Sequence, residues 1–390
     1  MSLEALVYLS RKYGADPNFV IAGGGNTSYK DNSTLYIKGS GTSLASITAS
    51  DFVRMDRRAL ERMWHTTYPV DEAERERIVL QDLMNARLTG EDHKRPSVET
   101  MLHDLLPFAY VVHTHPAIVN GLTCSLQGEA YLRELFGEDP LWIPITNPGY
   151  MLSLRVKKEL DLYKSQHHRA PQMIFLQNHG VFVAADSPEG IEAQYQRIIE
   201  TISQYIKRFP ESIPILRDFG PSKELAALLA KCPFPANYTG SMPNSRFICF
   251  RRDLELATRT QNKENFKVLL HPFTPDHIVY AGSDPLFLDL KLTEQSTISE
   301  TLQRSITDQW MSYISMFNRL PKIIAVSSLG IFGLGSSERA AELAAELMAD
   351  AAKVACYAES FGGPRHMEQE YIDFINNWEV EHYRSTISTK

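Results

Sequence analysis

The stretch VVHTHP, residues 111–116, decides how the first half of the chain is built. Its apolar start predicts a strand from about 109 to 113, and side chains two positions apart on a strand point to the same face of the sheet. The spacing therefore sets the imidazoles of His113 and His115 side by side. Such a pair suits a metal ion, although ordinary buried or surface histidines fit the pattern equally well when it is taken alone.

A third imidazole follows another apolar strand. His179 lies in the turn Gln177-Asn178-His179-Gly180 after Met173-Ile174-Phe175-Leu176, and we predict that this strand runs parallel to the first and ends beside it. Three imidazoles leave one coordination position open for substrate, which is typical of a catalytic zinc site. The remaining histidines of this half are interpreted mainly as surface or helix residues: His93, His103, His167 and His168.

An acidic residue lies near the start of a helix predicted over 97–106. Ser97 and Glu99 have an ordinary explanation, in which Ser97 caps the helix and Glu99 complements its dipole. The alternative is that Glu99 is a carboxylate beside the metal. There it would act as a general base toward a carbon whose proton a metal-bound carbonyl has made acidic.

Two glycine loops, 23–25 and 39–41, lie on either side of a strand predicted over 34–38. Glycine lets a ligand approach the backbone closely, so the loops could present N–H groups to an anion. Polar side chains nearby would add donors and one positive charge: Asn26, Ser28, Lys38, Ser40 and Thr42. Neither loop has the spacing of a nucleotide-binding motif, and tight hairpin turns would account for them equally well. Residues 22–28 are predicted to be a turn-rich loop.

Composition limits the class of protein. The chain has 390 residues, of which 43% are hydrophobic and 22% charged, as expected for globular domains, and its length favours two of them. A net charge of −7 with no basic stripe argues against nucleic acid as a partner. No apolar run is long enough to cross a membrane, and the amphipathic start is unlike a signal peptide, so we expect a cytoplasmic location.

Helices and strands alternate from residue 97 to 208, which predicts an α/β fold. A proline-bearing segment, 208–214, marks the expected boundary between a domain at 1–209 and a second α/β domain at 210–390. At an offset of 150 residues, Asn178-His179-Gly180-Val181-Phe182 lies over Ser328-Leu329-Gly330-Ile331-Phe332. This indicates either a degenerate internal repeat, whose second copy lacks the histidine, or merely a shared order of elements.

Taken together and in order, several motifs resemble the class II aldolase/adducin family: Gly25-Asn26-Thr27-Ser28, Lys38-Gly39-Ser40-Gly41, Ser97-Val98-Glu99, His113-Thr114-His115-Pro116 and Asn178-His179-Gly180. The resemblance spans residues 1–208. It implies a three-layer α/β/α domain, followed by a second α/β domain similar to the later part of the aldolase segment of bifunctional rhamnulose-phosphate aldolase/alcohol dehydrogenases.

The resemblance also implies an activity. In such enzymes three histidines, here His113, His115 and His179, hold a divalent ion, usually zinc, with Mn²⁺ or Co²⁺ as alternatives. Glu99 would be the acid/base in retro-aldol cleavage of a ketose 1-phosphate through a metal-stabilised enediolate. Pocket residues for the phosphate would be Asn26, Ser40, Gly41 and Ser97. Tyr150 is the candidate to protonate or orient the aldehyde oxygen, although an ordinary helix-start aromatic fits as well.

The sequence departs from some family aldolases in places where a hydroxyl residue would help to bind phosphate. Val98 precedes Glu99, and Gly23 and Gly24 stand before the glycine-asparagine pair. An unphosphorylated keto sugar or a sugar acid therefore stays open as substrate. A dehydratase, an epimerase and a non-catalytic adducin-like scaffold are the alternative functions, and we expect a homo-oligomer. An NAD-linked oxidoreductase is disfavoured, because Gly330–Gly335 has the wrong glycine spacing for a dinucleotide loop.

Overall fold

The computed structural model describes residues 2–213, 220–236, 238–240, 245–290, 292 and 295–380. These residues form two compact units, the first made of 2–206 with 378–380 and the second of the described residues between 207 and 377. The first unit ends after Ile206, close to the predicted boundary, but residues 378–380, which were predicted to belong to the second domain, group with the first unit. Pro214, part of the predicted boundary segment, lies outside the described residues.

A seven-stranded sheet is the centre of the first unit. Its spatial order is β3-β2-β1-β4-β7-β6-β5, with β5 parallel to β6 and every other neighbouring pair antiparallel. The strands are β1 (Asn26–Lys30), β2 (Thr34–Lys38), β3 (Phe52–Asp56), β4 (Tyr110–Thr114), β5 (Leu141–Ile143), β6 (Met173–Leu176) and β7 (Gly180–Ala185).

Helices cover both faces of this sheet. They are α1 (Leu3–Gly14), α2 (Arg57–Met63), α3 (Glu72–Asn85), α4 (Thr100–Leu105), α5 (Ala117–Thr123), α6 (Gly128–Phe136), α7 (Tyr150–His167) and α8 (Pro188–Ser203). Helices α1 and α8 pack together over β4, and α4 and α7 pack together on the opposite face. The core beneath α4 and α7 joins Leu102 and Leu152 to Val111, Phe182 and Ala184. The predicted three-layer α/β/α fold is confirmed.

The structure corrects the prediction for residues 26–28. Asn26 and Ser28 do not lie in a loop but in β1, between β2 and β4 in the sheet. The sequence did not predict this strand because polar side chains lie on both of its faces, so it lacks the alternation of apolar and polar residues that indicates a strand. Backbone pairing fixes its place, with Asn26 opposite His113 and Ser28 opposite Ile37.

The second unit contains a four-stranded sheet in the order β8-β11-β10-β9, with β9 parallel to β10 and the other pairs antiparallel. Its elements are α9 (Ser222–Lys231), β8 (Phe247–Arg251), α10 (Leu254–Arg259), α11 (Lys263–Phe266), β9 (Leu286–Leu288), α12 (Glu300–Phe317), β10 (Ile323–Val326), β11 (Gly330–Gly335), α13 (Glu338–Ala358) and α14 (Gln369–Asn377). The order and directions of its strands match those of β4-β7-β6-β5.

The match extends to residue level at the offset of 150. Helix α12 begins and ends 150 residues after α7, and β10 and β11 keep the same offset from β6 and β7. The residues directly after α7 and α12, His168 and Asn318, both adopt the left-handed conformation. Ser187 and Ser337 cap the following helices with their hydroxyls. The two halves therefore share turns and caps as well as strand order.

No helix among the described residues is both long and apolar enough to span a lipid bilayer.

Candidate metal centre

Three imidazoles converge at one end of β4. His113 lies in the strand and is fully buried, His115 follows the strand, and His179 precedes β7. One ligand nitrogen from each ring lies within 4.8 Å of the other two, and the Nε2 atoms of His113 and His115 are 2.9 Å apart. The predicted triad is thus a cluster in space.

The route that delivers His179 differs from the predicted one. The strand before it, β6, is not the neighbour of β4, because β7 lies between them and pairs antiparallel with both. The tight β6–β7 turn, with Asn178 in the left-handed conformation, places His179 just before Gly180. Antiparallel pairing sets Val181 opposite Thr114, so the start of β7 meets the end of β4.

Hydrogen bonding orients the deepest ring for a cation. The Val181 carbonyl lies 3.0 Å from Nδ1 of His113 and can only accept, so Nδ1 carries the proton. Nε2 then presents its lone pair to the cluster, which is the usual way that a second-shell carbonyl fixes a metal-binding histidine.

Glu99 brings a carboxylate to the same cluster. Glu99 is the residue directly before α4, it is 5% exposed to solvent, and its side chain makes no capping hydrogen bond to the helix. Its Oε1 atom lies 3.6 Å from Nε2 of His113 and 3.8 Å from Nε2 of His179. That buried oxygen has no hydrogen-bond partner among the described residues. An orphaned carboxylate oxygen facing two imidazole nitrogens fits a divalent cation, whose charge would satisfy it.

The profile of the class II aldolase and adducin N-terminal domain matches residues 4–205, slightly more than half of the chain. The chain belongs to the class II aldolase/adducin family. A second profile, the second domain of class II aldolases, matches residues 240–384. The sequence-based assignment to this family is therefore confirmed.

The individual relatives of this chain are distant in sequence. A curated relative from Bacillus subtilis (strain 168), named uncharacterized oxidoreductase YuxG, is 23% identical over 99% of the chain, which spans 58% of that relative's length. The N-terminal class II aldolase domain of a Thermoplasma acidophilum protein is 24% identical, covering 53% of this chain and 94% of its own, with a TM-score of 0.45. An L-fuculose 1-phosphate aldolase is 19% identical, covering 52% of this chain and 84% of its own, with a TM-score of 0.37.

Asn26 and Ser97, both predicted pocket residues, lie beside Glu99 in the candidate metal centre. The amide nitrogen of Asn26 donates to Oε2 of Glu99 at 2.5 Å and to Oγ of Ser97 at 3.3 Å. The same Ser97 oxygen accepts the backbone N–H of Glu99. Both polar side chains are thus engaged in holding the carboxylate.

Ser28, another predicted pocket residue, is fully buried, and its hydroxyl lies 2.7 Å from Nδ1 of His103. His103 is a residue that sequence reasoning missed. It lies in α4 as expected but is fully buried, and its Nε2 hydrogen-bonds to Oδ1 of Asn26. The available signal was its spacing from Glu99, since residues four apart lie on the same side of a helix.

Lys38 contacts the first of the two glycine loops. The buried Lys38 ammonium donates to the carbonyls of Gly23 and Gly25 at 3.1 Å each, so its charge holds the first loop. Gly25 has φ +66, and a Cβ there would lie 2.8 Å from the His113 carbonyl oxygen. In the second loop Ser40 is half-buried and Gly41 has φ +84, a conformation that favours glycine.

Tyr150 begins α7 and is 7% exposed. Its ring packs edge-on against Tyr68, with centroids 4.8 Å apart, in a core cluster that includes Leu35 and Met55. Burial raises the pKa of its hydroxyl above the ordinary value. The environment is that of a core aromatic, which was the alternative explanation of this residue.

In the second unit, residues other than histidine stand where the first unit has its ligands. His113 pairs with Phe182 across β4 and β7, and the equivalent pair across β8 and β11 is Phe250 with Phe332. Leu329 stands at the offset of 150 from His179. His277 of the second unit has its Nε2 3.1 Å from a carboxylate oxygen of Asp350 in α13, and its backbone N–H donates to the Thr274 hydroxyl within its own turn.

Proposed function

We propose that this class II aldolase is a divalent-metal-dependent lyase that cleaves a ketose 1-phosphate or a related keto sugar between two carbons. The observation that carries the proposal is the orphaned Oε1 atom of Glu99, buried beside two of three clustered imidazoles. A scaffold would have no need for an unsatisfied buried carboxylate at this place, because such a group costs stability unless a ligand or cation completes it.

His113, His115 and His179 would hold the ion, and zinc is the proposed metal because three imidazoles with an open position are typical of catalytic zinc. When bound, the ion would act as a Lewis acid toward the charge that develops on the oxygens of the substrate. The fixed tautomer of His113 supports this role, since its Nε2 is left unprotonated.

Glu99 is the proposed acid/base. In the direction of bond formation its Oε1 would take the proton from the carbon next to the substrate carbonyl. In cleavage the same oxygen would return that proton to carbon. The Asn26 amide fixes Oε2, so the free oxygen of the carboxylate is the one that faces the ligand cluster.

Substrate binding is proposed for the second glycine loop. Ser40 and Gly41 lie in a half-buried turn, where the Gly41 backbone N–H and the Ser40 hydroxyl would bind a phosphate, whereas the Ser40 N–H already donates to the Arg95 carbonyl. Asn26 and Ser97 would contribute to substrate binding indirectly, by holding the Glu99 carboxylate in place. Lys38, the last residue of β2, would add its positive charge, although its ammonium already donates to two carbonyls.

The test combines metal analysis with product analysis. Purified protein would be dialysed against a buffer that contains zinc and then assayed with a panel of ketose 1-phosphates and unphosphorylated keto sugars. We expect an aldehyde plus a ketone fragment as products. Glu99→Gln should retain zinc and lose turnover by a factor of about 10² to 10⁴, the usual contribution of a general base. The exposed Glu134 provides a matched control, Glu134→Gln, with unchanged activity.

Other results would decide against the lyase. A single dehydrated product would assign a dehydratase, and a single isomer of the substrate would assign an epimerase. A protein that takes up no zinc, manganese or cobalt would be a scaffold. Full turnover by Glu99→Gln would remove this residue as the base.

A further inference from the structure

His103, which lies outside the ligand cluster, is the point where one face of β1 meets helix α4. Three alternate residues of the strand bond to it, as expected for side chains on a single face. The Lys30 ammonium donates a hydrogen bond to the His103 carbonyl at 2.5 Å. The Ser28 hydroxyl lies 2.7 Å from Nδ1 of the His103 ring, and Oδ1 of Asn26 bonds to Nε2 of the same ring. All four residues are buried.

The direction of each bond follows from donor chemistry. An ionised Glu99 carboxylate can only accept, so the Asn26 atom 2.5 Å from it is the amide nitrogen. Asn26 therefore turns its carbonyl oxygen to His103, and Nε2 must carry the ring proton. Nδ1 is left with a lone pair and accepts the Ser28 hydroxyl. Burial, followed by the nearby His113 and Lys30, lowers the pKa of His103 well below its ordinary value, which agrees with a neutral ring.

These bonds form one chain from the strand to the carboxylate. Ser28 donates to His103, His103 donates to Asn26, and Asn26 donates to Glu99. Reversing the Asn26 amide would break two bonds at once and set an oxygen against the carboxylate. The amide therefore has one favourable orientation, and with it Oε2 of Glu99 has one place.

We propose that His103 is a positioning residue that fixes the Asn26 amide and thereby aims Oε1 of Glu99 at the ligand cluster. The kinetic part of this inference rests on the proposed lyase function, whereas the structural part does not. An ordinary buried histidine would support the fold only, with no required tautomer and no selective effect on turnover.

The first measurement needs no turnover. Nitrogen-15 NMR of the full chain, labelled in its histidine rings, reports which ring nitrogen carries the proton, and the spectrum of His103→Gln identifies the His103 signals. We expect the Nε2–H tautomer near neutral pH. An Nδ1–H tautomer or a doubly protonated ring would overturn the proposal, whatever reaction the protein catalyses.

The second measurement is kinetic. His103→Leu should lower kcat by about 10- to 100-fold, the usual cost of losing an outer-shell partner, with KM and zinc content unchanged. His103→Gln keeps a donor and should recover part of that loss. His93→Leu alters an exposed histidine and serves as the matched control. Wild-type kcat in His103→Leu, or loss of zinc together with kcat, would contradict the positioning role.

Two further outcomes stay informative. Should His103→Leu fail to fold, Ser28→Ala leaves the ring in place, removes its partner at Nδ1, and should produce a mixed tautomer with a smaller fall in kcat. An unchanged tautomer and kcat in Ser28→Ala would count against the chain of bonds. Should the wild type cleave no keto sugar, the lyase proposal fails, and the tautomer measurement alone decides the role of His103.

Discussion

Lys30 provides a sharp test of how burial shapes this site. Its side chain is 6% exposed, and its ammonium donates to the His103 carbonyl at 2.5 Å. Burial lowers its pKa from 10.5 to about 7, with Asp104 opposing the shift and Arg57 adding to it. The unfolded chain therefore keeps the proton of Lys30 at pH values where the folded protein has lost it.

The sign of the effect on stability follows from this difference. Between about pH 7 and 10.5 the unfolded state binds one more proton than the folded state, so the free energy of unfolding rises with pH. The rise is about 1.4 kcal/mol per pH unit for one group. Going from pH about 7.5 to about 9.5, the wild type should gain about 2 to 3 kcal/mol relative to Lys30→Met, which cannot titrate.

Urea unfolding of both proteins, followed by tryptophan fluorescence at several pH values, measures this changing difference. Lys158→Met removes an exposed ammonium and controls for loss of a surface charge. A difference between wild type and Lys30→Met that stays constant with pH would refute the reasoning, because it would mean that Lys30 keeps its proton in the folded protein.

Three other outcomes are expected. Gly25→Ala should lower stability by at least about 1 to 2 kcal/mol for the left-handed φ alone, and a normal thermal unfolding midpoint would show that the loop does not need glycine. Metal analysis should find one zinc per chain, because Phe250 and Leu329 stand in the second unit at the positions equivalent to His113 and His179. His113→Ala should bind no zinc, and two zinc ions per wild-type chain would contradict a single site. Tyr150→Phe should retain kcat within a few-fold, since the ring packs in the core beside Tyr68. A loss of about 10²-fold or more, typical of a missing proton donor, would support Tyr150 as a catalytic residue.

Much of the site could be predicted from residue type and spacing. The pair His113 and His115 follows from the two-residue period of a strand, and His179 follows from a polar turn after an apolar run. The offset of 150 residues was visible in a short segment, but the sequence left its meaning open. In the structure this offset applies to a whole α-β-β-α segment, because the two units share helix bounds, left-handed turns and strand order.

The sequence by itself determined the α/β fold class, from the alternation of helices and strands, and the side-by-side placement of His113 and His115, from the two-residue period of a strand. The role of Glu99 was implied by the resemblance to the family. Only the tertiary structure decided that Asn26 and Ser28 lie in a strand and that His103 faces both of them. The physical reason is that burial and hydrogen bonding join residues that are 75 and 77 positions apart along the chain. No local pattern records such partners, and a polar strand becomes stable only when the sheet and helix around it supply them.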